Sequence, residues 1–201
     1  YGKASNVFQG YLRSANGLIN PDEDEYIDYK ARKGKIDHST AGAQLIYEKL
    51  VDRGQEGKIL AQFLALTLAS HHSGLIDCLK PDGINNFEQR MIKEDAHLEE
   101  ARSKLPEIEY LVDEILSQSI EKKFFHFVFN KMTDTEDSSK QTRWFKRGLL
   151  ARFLLSCLLD ADRLNTADFE NPGNEAIRNY GKYIAWKDLV ERLEVRFEEY
   201  T

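Results

Sequence analysis

Apolar residues recur along most of this chain at three- and four-residue spacings, the period of one face of an α-helix. Val7, Phe8, Tyr11 and Leu12 mark such a face, predicting a first helix over Ser5–Ala15 that Asn16-Gly17 ends. The same reading predicts helices over Ser39–Asp52, closed by Gly54, and over Glu56–His71, ended near Gly74. Further helices are expected over residues 87–103, 107–117, 119–131, 140–163 and 185–199. Residues 18–37 are acidic and then basic, with Pro21 and Gly34, and read as a long surface loop. The stretch 75–86 contains Pro81 and Gly83 and reads as irregular, and 164–184 is mixed. No alternating strand pattern persists, so the expected class is all-α.

Composition narrows the picture. A chain of 201 residues suits one domain spanning 1–201 with a real core. Charged residues make up 31% and hydrophobic residues 41%, as in ordinary globular proteins, and only four prolines interrupt stretches rich in Leu, Ala, Glu, Lys and Arg. Cys78 and Cys157 are far apart, form no paired motif and read as reduced thiols, which suits a cytoplasmic setting. No apolar run reaches the roughly 18 residues that span a bilayer, and no signal peptide is visible, so no membrane partner is expected. The net charge of −6 argues against a surface coated for duplex DNA. It leaves room for local basic tracks, either Lys30, Arg32, Lys33 and Lys35 before His38, or Lys140, Arg143, Lys146, Arg147 and Arg152 interleaved with Trp144 and Phe145. A solvated face or loop is the simpler reading of each track.

The chemistry concentrates in three places. His71-His72 closes an apolar run and is followed by Ser73-Gly74; Asp37-His38-Ser39 lies upstream; Asp162 lies downstream in Leu159-Asp160-Ala161-Asp162-Arg163-Leu164. Neutral imidazoles and a carboxylate suit a borderline transition metal such as Mn, Fe, Ni, Co or Zn. Register places these residues toward the apolar sides of their helices: His38 with Ala41 and Leu45, His71 with Leu64 and Leu68, Asp162 with Ala151, Leu155 and Leu158. Asp160 falls on the row of Leu149 and Phe153, so register favours Asp162 over it only weakly. His97, in a charged run, and His126, among aromatics, have no partner motif and read as hydrogen-bonded core histidines.

The opening Tyr1-Gly2-Lys3-Ala4-Ser5-Asn6-Val7-Phe8-Gln9 resembles the stretch that follows the His-Asp dyad in the HD nuclease domain of the CRISPR-associated type I helicase-nuclease, with Gly2-Lys3 and Phe8-Gln9 as the matching pairs. His38-Ser39 resembles that family's next His-Ser motif, His71-His72-Ser73-Gly74 its paired-histidine motif, and Ala161-Asp162-Arg163-Leu164-Asn165-Thr166 its last metal-binding Asp motif, in order across essentially the whole chain. The resemblance implies an HD-domain helical bundle. It implies that His38, His71 and His72 serve one ion of a two-metal centre, with Mn, Ni, Co, Fe or Mg as the divalent metal, and Asp162 the other. Lys3 would stabilise charge on the scissile phosphate, and Thr166 would contact substrate.

The activity so implied is metal-dependent cleavage of single-stranded DNA, directed against foreign DNA in a prokaryotic cytoplasm. The strand would be unwound by an ATP-dependent helicase domain or subunit and delivered by an RNA-guided type I surveillance complex. Lys30, Arg32, Lys33, Lys35 and Arg143 would guide its backbone, and Trp144 would stack a base. The family's earlier histidine and its His-Asp dyad are not in this sequence, and the dyad would fall immediately before Tyr1. The chain is therefore expected to be a fragment or processed product, binding metal weakly and cleaving poorly by itself. Two alternatives stay open: an HD phosphohydrolase acting on nucleotides or cyclic dinucleotides, and a helical binding module with a deficient metal site.

Overall fold

Helix after helix forms where the apolar period predicts it, and local chemistry sets the boundaries. In the computed structural model, which describes residues 1–131, 139–177 and 184–199, the described residues contain ten α-helices and no strand beyond one isolated bridge between Leu79 and Asn85. They are α1 (Asn6–Ala15), α2 (Tyr29–Arg32), α3 (Thr40–Val51), α4 (Gly54–Ser70) and α5 (Asn86–Met91), then α6 (Leu98–Lys104), α7 (Pro106–Leu116), α8 (Ile120–His126), α9 (Lys140–Glu170) and α10 (Trp186–Glu198). The protein is all-α. Among the described residues, no helix is long and apolar enough to cross a membrane.

The centre of the first compact unit, Tyr1–Leu159, is the hairpin of α3 and α4. Leu50, Leu60, Ala61 and Leu116 form one buried cluster, with Ile46, Leu64 and Phe124 packed on it. Ala43, Ala65 and Ala69 form a second, covered by Leu68, Ile76 and Phe87. Small residues in the second cluster bring the two backbones close, and Gly57 does the same at the turn. A methyl group on Gly57 would stand 2.4 Å from the Leu50 carbonyl oxygen, a backbone atom that cannot rotate away. The second unit, Asp160–Thr201, holds the end of α9, a 3-10 stretch over Pro172–Ile177, and α10.

Several boundaries differ from the sequence expectation. The loop 18–37 carries the short α2, because the Asp28 carboxylate accepts from the Lys30 and Ala31 amides and caps one turn. Gly54 opens α4 instead of closing α3. The expected helix over 87–103 is two helices, α5 and α6, separated by a 3-10 turn over Glu94–Ala96. The buried Gln44 amide donates to the carbonyls of Arg90 and Lys93, at 3.0 and 2.8 Å, occupying acceptors that a continuing helix would use, and His97 turns left-handed at φ 61°. The expected helix over 119–131 gives way to a π-helical turn at Phe127–Lys131. α9 runs on to Glu170, since nothing breaks it before Pro172, which disfavours helix at the preceding Asn171.

Two histidines singled out in the sequence also find their places. His126 is exposed, contrary to the expectation of a core residue, because Val128 rather than His126 takes the buried position of that segment. His97 is half-buried and faces the Glu100 carboxylate at 3.4 Å. Cys78 and Cys157 are free thiols, both exposed.

Candidate metal centre

His38 owes its position to the residues on either side of it. Asp37 and Thr40 start α3: Asp37 Oδ1 accepts from the Ser39 and Thr40 amides at 3.2 and 3.1 Å, and Oδ2 accepts from the Thr40 hydroxyl at 2.7 Å. Lys93 Nζ donates to the same Oδ2 at 2.9 Å, tying the start of α3 to the segment after α5. Burial alone would raise the Asp37 pKa, but the bonds from Lys93 and Thr40 together hold it far below the usual carboxylate range. Asp37 is thus a fully engaged capping residue next to the site.

The N-terminal segment closes on His38 from the other side. Gly2 lies so near that a Cβ there would stand 2.3 Å from the His38 carbonyl oxygen, so no side chain fits. The Phe8 ring packs on the His38 imidazole with centroids 4.5 Å apart. Gln9 donates its side-chain amide to the Lys3 carbonyl at 2.8 Å and fixes the turn that carries Lys3. Gly2, Phe8 and Gln9, three of the four residues that carry the opening resemblance, are the ones that shape this wall, with Lys3 exposed upon it.

α4 supplies the other two imidazoles at its C-terminal end. His71 is the C-cap residue and His72 follows in an exposed turn. The three rings meet: centroids of His38 and His72 are 4.3 Å apart, His71 and His72 3.9 Å, and His38 and His71 6.0 Å. One nitrogen from each lies within 4.8 Å of the others.

Tautomers follow from the backbone. His38 Nδ1 donates to the Ile36 carbonyl at 3.2 Å and His71 Nδ1 to the Leu68 carbonyl at 2.6 Å. Both therefore carry their proton on Nδ1 and leave Nε2 as the lone-pair nitrogen, the arrangement in which an imidazole ligates a metal; in His38 that lone pair accepts from His72 Nε2 at 2.6 Å, a bond that a shared ion would replace. Burial pushes the His38 pKa down to about 4, with the Ile36 carbonyl opposing and the charges of His72, Lys3 and His71 adding to the effect of burial. His38 is neutral at pH 7 and needs no proton removed before it ligates.

The donor set fits a borderline divalent ion. Two nitrogens on one tetrahedral ion, each about 2.0–2.1 Å from it, stand about 3.3 Å apart. His38 Nε2 and His72 Nε2 are 2.6 Å apart, so a small rotation of the exposed His72 ring reaches that separation. Three protein nitrogens leave further coordination positions open, as in catalytic rather than structural sites. A hollow of 430 Å³ adjoins the rings, lined among others by Lys35, His38, Ser39, His72, Ser73 and Arg90.

The remaining sequence candidates are placed as follows. Lys30, Arg32, Lys33 and Lys35 are all exposed, and Lys35 reaches the hollow beside His38. Arg143 and Trp144 are exposed on α9; the Trp144 ring carries the Arg147 guanidinium at 4.9 Å, with Phe129 on that guanidinium at 4.1 Å. Trp144 lines a separate apolar hollow with Phe63, Leu66 and Phe87. Asp162 lies in the second unit, half-buried, and its neighbour Asp160 is exposed, which agrees with the register argument. The Thr166 hydroxyl donates to the Asp162 carbonyl at 2.9 Å. Among the described residues, the group able to share one ion is His38, His71 and His72. Arg90 and Lys93 carried no signal in the sequence, because both sit in an ordinary charged helical run. Comparison with protein-family models, with curated proteins and with solved structures finds no match to this chain.

Proposed function

We propose that this chain is an HD-type helical bundle acting as a metal-dependent phosphodiesterase on single-stranded DNA. The observation that carries the reading is the convergence of three imidazoles, two of them held through Nδ1 by backbone carbonyls so that Nε2 is the unprotonated nitrogen. His38, His71 and His72 would hold a divalent ion, which supplies Lewis-acid activation of a water and neutralises charge on the phosphate. The protein's own contribution is orientation. Asp37 fixes the start of α3 beneath His38, and Phe8 and Gly2 wall the ring on its other side. Lys3, exposed on that wall, is suited to hold negative charge on the phosphate, and its field already reaches His38. The order of the motifs along the chain supports the resemblance to the CRISPR-associated helicase-nuclease, and with it a helicase and an RNA-guided surveillance complex as partners. The test is chelator-sensitive cleavage by the natural full-length protein, comparing a labelled single strand, its duplex and free or cyclic nucleotides. Faster cleavage of the single strand, abolished in His72→Ala, is the expected result. Faster turnover of a nucleotide would overturn the nuclease reading in favour of a phosphohydrolase.

A further inference from the structure

The walls of the hollow beside the histidines carry charges that the three imidazoles do not use. A second hollow, of 440 Å³, shares Asp37 and Arg90 with the first and continues to Ile76, Asn86, Gln89 and Lys93. Arg90 therefore stands on the boundary between two adjoining spaces, one of which reaches the histidines.

The charges on these walls can be paired off. Asp37 is matched by Lys93 at 2.9 Å, and Lys93 also meets Asp95 at 3.3 Å. Lys35 and Arg90 have no carboxylate partner among the described residues. The spaces next to the imidazoles thus carry two uncompensated cations before any metal is bound. An anion is the complementary occupant.

Arg90 is also held in place in advance. The buried Gln44 amide grips its backbone carbonyl at 3.0 Å from α3. Its own Nη1 donates to the Ala69 carbonyl at 3.0 Å on α4, two residues before His71. A guanidinium carries five N–H donors in a planar fork, so one bond to Ala69 leaves most of the fork for a ligand. Paired donors in that geometry match two oxygens of a phosphate.

We propose that Arg90, assisted by Lys35, forms a phosphate subsite that takes the phosphate neighbouring the one at the histidines, so that the site grips a polynucleotide backbone and not a lone phosphate. For its substrate class the inference rests on the phosphodiesterase reading above. The subsite itself has a test that does not require activity.

Binding of a short 5′-labelled single-stranded DNA is measured by fluorescence anisotropy across a salt series. The competitors are inorganic phosphate, a mononucleotide and a dinucleotide, and Mn²⁺ affinity is measured calorimetrically on the same preparations. The variants are Arg90→Gln, which keeps a donor for the Ala69 carbonyl, Arg90→Lys, which keeps the charge without the fork, and Lys35→Gln. Arg90→Gln is expected to weaken oligonucleotide binding about tenfold and to lower the salt slope by about 0.7. Arg90→Lys should fall between it and the wild type, Lys35→Gln should have a smaller effect, and Mn²⁺ affinity should not change. The dinucleotide should compete better than the mononucleotide or inorganic phosphate.

Wild-type oligonucleotide affinity in Arg90→Gln would overturn the proposal. So would parallel loss of oligonucleotide and Mn²⁺ binding, which would make Arg90 only a brace for the end of α4. Equal competition by inorganic phosphate would replace the polynucleotide with a free anion and overturn it as stated. Failure of the wild type to bind Mn²⁺, with the Arg90→Gln effect on DNA intact, would overturn the metal reading and leave the subsite standing.

Discussion

Replacing Asp37 by Ala removes the hub that joins the start of α3 to the segment after α5. Three losses follow. The Ser39 and Thr40 amides lose their capping acceptor, worth about 1 kcal/mol. The hydroxyl of the fully buried Thr40 loses its acceptor, worth about 1 kcal/mol more. Lys93 loses a charge-assisted bond, discounted to about 1 kcal/mol because the Lys93 side chain is 33% exposed and that of Asp37 21%. The expected cost is about 3 kcal/mol for Asp37→Ala. Asp37→Asn keeps an oxygen for the two amides but sets a neutral amide against Lys93, and should cost about 1.5 kcal/mol. Urea unfolding at pH 7 measures both, as a fall in midpoint at constant slope. Because the Asp37 pKa is depressed by folding, its contribution is complete above its ordinary value near 3.8 and is lost as pH falls through the lower folded value. Acid should therefore erase the difference between Asp37→Asn and wild type. A loss below about 1 kcal/mol in Asp37→Ala would refute the assignment of Asp37 as the hub.

His38 should make the protein sensitive to milder acid: its pKa falls from 6.5 to about 4 on folding, so stability is complete above 6.5 and is lost as pH drops from there to about 4. Screening of the half-buried ring reduces the expected loss to about 2 kcal/mol, and a stability curve in that window that is the same in His38→Gln as in wild type would contradict it. Gly2→Ala should cost about 2 kcal/mol and weaken metal binding together, since the methyl meets the His38 backbone at 2.3 Å; thermal melts with unchanged midpoint would count against the close approach. Neutralising Lys30, Arg32, Lys33 and Lys35 together should weaken single-stranded DNA binding and flatten its salt dependence while leaving Mn²⁺ affinity unchanged, as read by anisotropy and calorimetry.

The helical class was legible because the apolar period is clear in α1, α7 and α10, while α3 and α4 are long runs, apolar on several faces, without strand alternation. The three histidines were legible as ligand types, and their register hinted that they meet. What the sequence could not display depends on long-range contacts. The break after α5 comes from Gln44, which lies some fifty residues earlier and captures two carbonyls of that segment. Asp37 looked like part of a ligand motif, yet its oxygens are taken by Ser39, Thr40 and Lys93. His126 sits in an aromatic run whose inward position belongs to Val128, a choice that a local count of apolar residues does not make. Arg90 is one of two charged residues on the six-residue α5, and only the fold sets it beside the end of α4.

The most direct test of the central claim is a Co²⁺ titration followed by visible absorption, which reports both occupancy and ligand geometry, on wild type and on His38→Ala, His71→Ala and His72→Ala. A wild-type spectrum of nitrogen-ligated Co²⁺, with affinity reduced about tenfold or more in each variant and melting midpoints otherwise close to wild type, is the expected result. Binding that is absent in wild type, or that survives unchanged when all three histidines are replaced, would contradict the account.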